Sequence, residues 1–361
     1  MLDAKKLNTK TVPYLLKMRC SLLFILSCTS AAADGGIVFG ADRLLTDPAF
    51  ASWLRNRTVG VISNPTGTLS SLTHVVDALL PLANSSANAS SPGVVGGPFE
   101  LRCVFGPEHG FRGDAQAGQG GSSYVDGRTG LPVYAAYAQT VPQLAALVAA
   151  SGVDTLVFDI QDIGARFYTY VWALFDLMRA GAAAAANASA AGTPLASLRF
   201  IVLDRPNPLG GARAAGPMLR AEYQSGVGGA PIPLQHGMTV GELARLFNGH
   251  FLPQPAYGGA ALADLRVVPA LGWARGDATG HCGRRGAAPA VPPPQPAAAV
   301  VSLGIGAHPW IPPSPNMPSC ATATVYPGLG LFEATNVSVG APAAAVAAAA
   351  ACCGSPRPSR C

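Results

Sequence analysis

Thr155-Leu-Val-Phe158 runs without a spacer into Asp159-Ile-Gln-Asp162. Four apolar-rich residues in a row lack the alternation of a half-exposed strand, so the strand they form is covered on both faces, as in a parallel sheet. The device occurs three more times. Thr58-Val-Gly-Val-Ile62 precedes Ser63-Asn-Pro-Thr-Gly67, Leu101-Arg-Cys-Val-Phe105 precedes Gly106-Pro-Glu-His-Gly110, and Phe200-Ile-Val-Leu203 precedes Asp204-Arg-Pro-Asn-Pro208. Helical periodicity fills the intervals at residues 70–80, where Pro81 is expected to end the helix, and at 141–150 and 170–179. Strands alternating with helices predict an α/β protein on a doubly wound parallel sheet. Such sheets bind ligands beyond the carboxyl ends of their strands. Here those ends carry Asn64, Glu108, His109, Asp159, Asp162, Asp204, Arg205 and Asn207, which are expected to floor an active-site cleft.

That clustering is notable because only 12% of the 361 residues are charged. The length predicts two domains. Residues 35–210 are expected to form the sheet domain, and residues 211–340 a second one completing the cleft. The second region holds a strand at 265–269 and a helix after Met238, capped by Thr239 with Glu242 at capping-box spacing. Residues 84–98, 181–197 and 276–300 read as inserted loops, and 341–361 as a low-complexity tail. All four lysines lie in the first 17 residues, and removing residues 1–33 lowers the net charge from +5 to +1. A basic stretch, the apolar run Ser21–Leu26 and Ala31-Ala-Ala33 make residues 1–33 a signal peptide, implying a secreted or lumenal protein with no membrane span after cleavage. Of the five sequons, at Asn56, Asn84, Asn88, Asn187 and Asn336, three fall in polar or Ala/Ser-rich stretches that read as exposed loops, as glycosylation requires. No basic stripe serves a nucleic acid. The sparse cysteines admit one body disulfide, Cys282 with Cys320, and no metal finger.

Among the candidates, Glu108 is first. Pro107 and Gly110 hold it in a turn, and burial beside Phe105 and Phe111 is the environment expected of a general acid. His109 would orient it or carry a proton. Asp159 and Asp162 would serve as base, nucleophile or positioning groups. Arg166 would grip a substrate carboxylate or, alternatively, pair internally with Asp159. Tyr168 and Tyr170 offer flat surfaces to sugar rings, and Pro206 and Pro208 stiffen the backbone around Asn207. His236, Asn316 in Pro313-Ser-Pro-Asn-Met-Pro318, and Tyr326 in a Tyr-Pro-Gly loop extend the set into the second region. For each, a role in merely shaping its loop is the plain alternative. The chain has no G-x-S-x-G elbow, P-loop, helix-opening G-x-G-x-x-G or H-E-x-x-H, so neither cofactor nor metal is expected.

The blocks FGPEHGFRGDAQAG (105–118), VFDIQDIGARFYTY (157–170), LDRPNPLGG (203–211), PIPLQHGMTVGELA (231–244), PSPNMP (313–318) and YPGLGLFEATNVSVG (326–340) carry a resemblance. With GADRLL (40–45) and VGVISNPTG (59–67), they resemble the NamZ-type exo-β-N-acetylmuramidase family, in family order across about residues 40–340. The resemblance implies a Rossmann-like domain plus a smaller α+β C-terminal domain. It implies release of N-acetylmuramic acid from the non-reducing end of peptidoglycan fragments, with muropeptides or MurNAc disaccharides as partners and Glu108 as the catalytic glutamate. Glycoside cleavage needs a proton donor and a stabiliser of the oxocarbenium-like transition state, so Asp159 or Asp162 would be the second carboxylate. The lactyl carboxylate of the sugar would meet Arg112 or Arg166, and Asn64, Tyr168, Asp204, Arg205, Asn207, His236 and Asn316 would line the sugar site. After Gly340 the family's Arg-Gly-Thr run gives way to Ala341-Pro-Ala-Ala-Ala345. This marks a C-terminally truncated or divergent member, for which a non-catalytic muropeptide-binding protein is the alternative.

Overall fold

The structure, a computed structural model, describes residues 37–83, 97–113, 115, 118, 121–276, 310–315 and 317–335. The apolar runs form the middle of a seven-stranded sheet. Its strands are Thr58–Ser63 (β1), Glu100–Gly106 (β2), Tyr124–Val125 (β3), Pro132–Ala135 (β4), Thr155–Asp159 (β5), Arg199–Leu203 (β6) and, after a separate small pair Ala215–Met218 (β7) and Pro233–Gln235 (β8), Asp264–Val268 (β9). The spatial order is β3-β4-β2-β1-β5-β6-β9. Every pairing in this sheet is parallel except that of β3 with β4.

Helices occupy both faces: Gly40–Thr46 (α1), Val75–Ala83 (α2), Val141–Ser151 (α3), Thr169–Ala191 (α4) and Val240–Leu246 (α5), with Cys320–Leu329 (α6) further on. Val61 aligns with Val104 and Val157, and Ile62 with Phe105 and Phe158. Successive strand side chains point to opposite faces. Val61, Val104, Val157 and Ile201 therefore share a core with α1 and α2, while Ile62, Phe105, Phe158 and Phe200 share one with α3, α4 and α5. Full burial of each such side chain contributes about 1.5–3 kcal/mol. From β1 the chain first builds outward through β2 and β4, then crosses to β5, β6 and β9 on the other side. The reversal between β1 and β5 opens a crevice at their carboxyl ends, the ligand position of open α/β sheets.

Several expectations change. The sheet has no break at residue 210: β9, assigned to the second region, pairs with β6 from Arg199↔Asp264 to Leu203↔Val268. Helix α5 supplies the crossover that a parallel neighbour requires. The Ala-rich stretch from 181, read as an insert, continues α4 to Ala191 and ends at Gly192 in the left-handed region (φ 66°). Alanine is the strongest helix former, and Ala182, Ala184 and Ala188 are buried. Asn187 thus stands on a helix rather than in a loop, whereas Asn56 is exposed. Helix α2 begins only at Val75 and runs through Pro81, and Tyr326-Pro327 lies inside α6. Cys103 is a free, buried thiol, and Cys320 is disulfide-bonded. Residues 1–33, Asn84, Asn88, Cys282, Asn316, Asn336 and 341–361 lie outside the described residues. No described helix is long and apolar enough to cross a membrane.

Candidate active site

Beyond the end of β2 the chain turns sharply, with His109 (φ 67°) and Gly110 (φ 75°) both left-handed. Histidine tolerates this region better than most residues. The His109 carbonyl accepts the Ala115 N–H at 3.2 Å, and its Nδ1 donates to the Ala115 carbonyl at 3.1 Å, closing the loop. This turn presents Glu108 to a cavity of about 430 Å³, lined also by Tyr137, Thr169, Tyr170, Trp172 and Asp176. The carboxyl is not buried among phenylalanines as expected; it is partly exposed. Its Oε1 accepts the Gly118 N–H at 2.7 Å and its Oε2 accepts the Thr169 hydroxyl at 2.5 Å. Thr169 is the first residue of α4, whose N-terminal dipole favours negative charge. Residues 169, 172, 173 and 176 follow helical spacing along one face, so α4 forms a wall of the cavity.

The electrostatics follow from burial and from Glu108. Burial raises the Tyr170 and Tyr137 phenols, and the Glu108 charge raises both further. Burial also raises Asp176, against the opposing pull of Arg179, whose Nη1 donates to it at 3.0 Å. None of Tyr137, Thr169, Trp172 and Asp176 was singled out from the sequence. The signal was present for three of them: once Thr169 is placed, 172 and 176 share its helical face.

Most other strand-end residues serve one another. Asp159, at the end of β5, accepts from Arg205 Nε at 2.7 Å and Nη2 at 2.9 Å, with both side chains 0% exposed. Its ion pair is therefore with Arg205 and not with Arg166, whose Nη1 donates to the Pro217 and Ile232 carbonyls at 2.8 Å. Asp204 accepts from the Arg205 and Gly241 N–H groups and the Thr239 hydroxyl. It thereby holds the start of α5, and burial pushes its carboxyl up to about 6. Asn207 bridges the Met238 carbonyl and the Leu209 N–H. Arg112 pairs with Asp77 at 2.9 Å and Asp126 at 2.8 Å.

Asp162, Asn64 and Tyr168 lie at the β1/β5 crevice, Tyr168 facing the Ser314 hydroxyl and Asn64 the Tyr170 hydroxyl. Asp162 Oδ2 accepts from the Gly164 N–H at 2.7 Å and His236 Nε2 at 2.9 Å, while its buried Oδ1 has no partner. Met238 N–H donates to His236 Nδ1 at 3.2 Å, so Nε2 carries the proton. Asn64 Oδ1 accepts from Thr66, and its Nδ2 is left over. Tyr168 packs edge-on against Tyr170 and Tyr326, at 5.2 and 5.9 Å between ring centres. Among the described residues no cluster of His, Cys, Asp and Glu could hold a metal ion.

The family profile described as exo-β-N-acetylmuramidase NamZ, N-terminal, matches residues 59–291. Over 301 residues the chain is 39% identical to peptidoglycan β-N-acetylmuramidase NamZ of Bacillus subtilis (strain 168), covering 83% of this chain and 58% of that protein. Two crystal structures of DUF1343 family proteins from Bacteroides fragilis NCTC 9343 share the fold. One has a TM-score of 0.59 at 31% identity, covering 84% of this chain and 62% of the other. The second has a TM-score of 0.57 at 30% identity, covering 85% and 64%. The chain thus spans less than two thirds of the length of each of these relatives. Matched through the strands and loops that frame the cavity, the chain belongs to the exo-β-N-acetylmuramidase NamZ family.

Proposed function

We propose that the chain carries the site of a glycoside hydrolase that releases terminal, non-reducing N-acetylmuramic acid from peptidoglycan fragments, with Glu108 as general acid. The observation that carries this reading is the Glu108 carboxyl, fixed by two hydrogen bonds and facing a cavity at the carboxyl edge of the parallel sheet. At about 430 Å³ the cavity falls within the usual range for small-molecule sites. Its tyrosine and tryptophan walls suit the apolar faces of a sugar ring. Glu108 donates its proton to the glycosidic oxygen as the bond to the anomeric carbon breaks. That oxygen leaves as a hydroxyl, the positive charge on the sugar is stabilised by carboxylate charge nearby, and water ends up on the anomeric carbon with its proton passing to a carboxylate.

Asp162, with its unpartnered oxygen, is the better second carboxylate of the two expected, because Asp159 is committed to Arg205. Arg112 is already matched by two carboxylates, so the reading gives it no part in holding the lactyl group. The leader-like residues 1–33 support export to where such fragments occur.

The test is hydrolysis of a chromogenic MurNAc glycoside or a MurNAc-GlcNAc disaccharide. Wild type is expected to release MurNAc, and Glu108→Gln to lose about 10²–10⁴-fold in kcat with an unchanged Tm. Glu108→Gln within threefold of wild type removes the residue from the chemistry. Saturable binding by both proteins without product favours the muropeptide-binding alternative.

A further inference from the structure

We propose that Thr169 is a positioning residue that holds the Glu108 carboxyl through its proton cycle; this rests on Glu108 being the acid. The hydrogen-bond inventory carries the argument. Gly118 reaches Oε1 through a backbone N–H, which can only donate, so Oε1 is an acceptor in either protonation state. The exchangeable proton therefore belongs on Oε2. The group at Oε2, 2.5 Å away, is the Thr169 hydroxyl, which both donates and accepts. It accepts from the resting acid; when the Oε2 proton turns to the leaving oxygen and passes to it, the hydroxyl turns to donate to the carboxylate that remains. Donation to a charged oxygen is the stronger bond, so the hydroxyl counts for more as charge develops than before.

The platform is rigid. Threonine is stiff at χ1, and Thr169 opens a helix of 23 residues packed against the sheet. The titratable groups around Glu108 are His109 beside it in sequence, Tyr137 from the 136–140 loop, and Tyr170 and Asp176 on α4. Changing residue 169 leaves all of them in place.

Thr169→Val keeps the shape and removes the hydroxyl. The expected result is a fall in kcat of about 10- to 100-fold, the worth of one hydrogen bond to a charged group, with KM changed less than about threefold. Losing a donor to the carboxylate also moves the alkaline limb of the kcat/KM–pH profile upward. Thr169→Ser restores kcat to within about threefold and returns the limb.

A second readout needs no turnover. The chain has five glutamates, so the Glu108 carboxyl is assignable by ¹³C NMR as the signal absent from Glu108→Gln. Its titration midpoint is expected to rise in Thr169→Val and to stay in Thr169→Ser. Thr169→Ala reads the same if the valine variant folds poorly. An unmoved midpoint in the variants lacking the hydroxyl overturns the proposal. A moved midpoint in a protein that cleaves no glycoside sinks the hydrolase reading and the proton cycle with it, and leaves only the Thr169 hydrogen bond to the Glu108 carboxyl.

Discussion

Asp159→Asn decides whether a buried strand-end carboxylate works in the chemistry or beneath it. Asp159 and Arg205 are both 0% exposed, joined by bonds of 2.7 and 2.9 Å. Arg205 also donates to the Thr68 carbonyl at 2.7 Å and lies 4.8 Å from the centre of the Phe39 ring. The pair ties the loops after β1, β5 and β6 together under the crevice. Replacing the carboxylate by an amide leaves a guanidinium cation buried without a counter-charge, which costs about 3–5 kcal/mol. At roughly 2–4 °C per kcal/mol for a domain of this size, Tm falls by about 6–20 °C. Asp159→Leu with Arg205→Met removes both charges at similar volume and is expected to recover most of the loss. Urea unfolding gives the free energies, and hydrolysis of the MurNAc disaccharide, normalised to the folded fraction at 20 °C, gives the rate. Asp159→Asn with Tm within 2 °C of wild type and its rate abolished would refute the reasoning and return Asp159 to the chemistry.

Asp204 makes stability depend on pH. Burial raises its carboxyl from the ordinary 3.8 to about 6. Between those values the native state keeps a proton that the unfolded chain has released. Stability is therefore greatest below about pH 4 for this group and declines as pH rises to 6, by about 3 kcal/mol in all. Urea midpoints across that window should fall in wild type and stay flatter in Asp204→Asn; parallel slopes count against it. Gly40 opens α1 where a Cβ would come within 2.5 Å of Asp204 N and Val268 O, both backbone. Gly40→Ala is expected to lose about 1–3 kcal/mol, read as a lowered Tm, and an unchanged Tm would show that α1 shifts freely.

Interior strands were legible because burial on both faces leaves a run that nothing else in the chain imitates: β1, β5 and β6 fall within one residue of their apolar runs. The short strands β3, β4, β7 and β8 were not, since two to four residues at a sheet edge or in an isolated pair show no period. The latter part of α4 was misread because poly-alanine looks like filler by composition, while alanine is also what lets a helix pack close to its neighbours. The site divides along a similar line. The turn at Glu108 was legible from Pro107 and Gly110, but that it leaves the carboxyl partly exposed rather than buried beside Phe105 and Phe111 was not. The other polar groups at the strand ends were assigned to the cleft by position alone. Position does not separate a carboxylate that faces a ligand from one that satisfies its neighbour, and backbone ends near a crevice need many such partners. Asp159 with Arg205, and Asp204 with the start of α5, meet that need. In a chain with only 12% charged residues, three of the charges at the strand ends are committed to holding the loops in register. Their concentration there measures how stiff the floor of the crevice must be; Glu108 and Thr169, bonded to each other at the cavity, and Asp162, with one unpartnered oxygen, are the groups that the proposed chemistry would use.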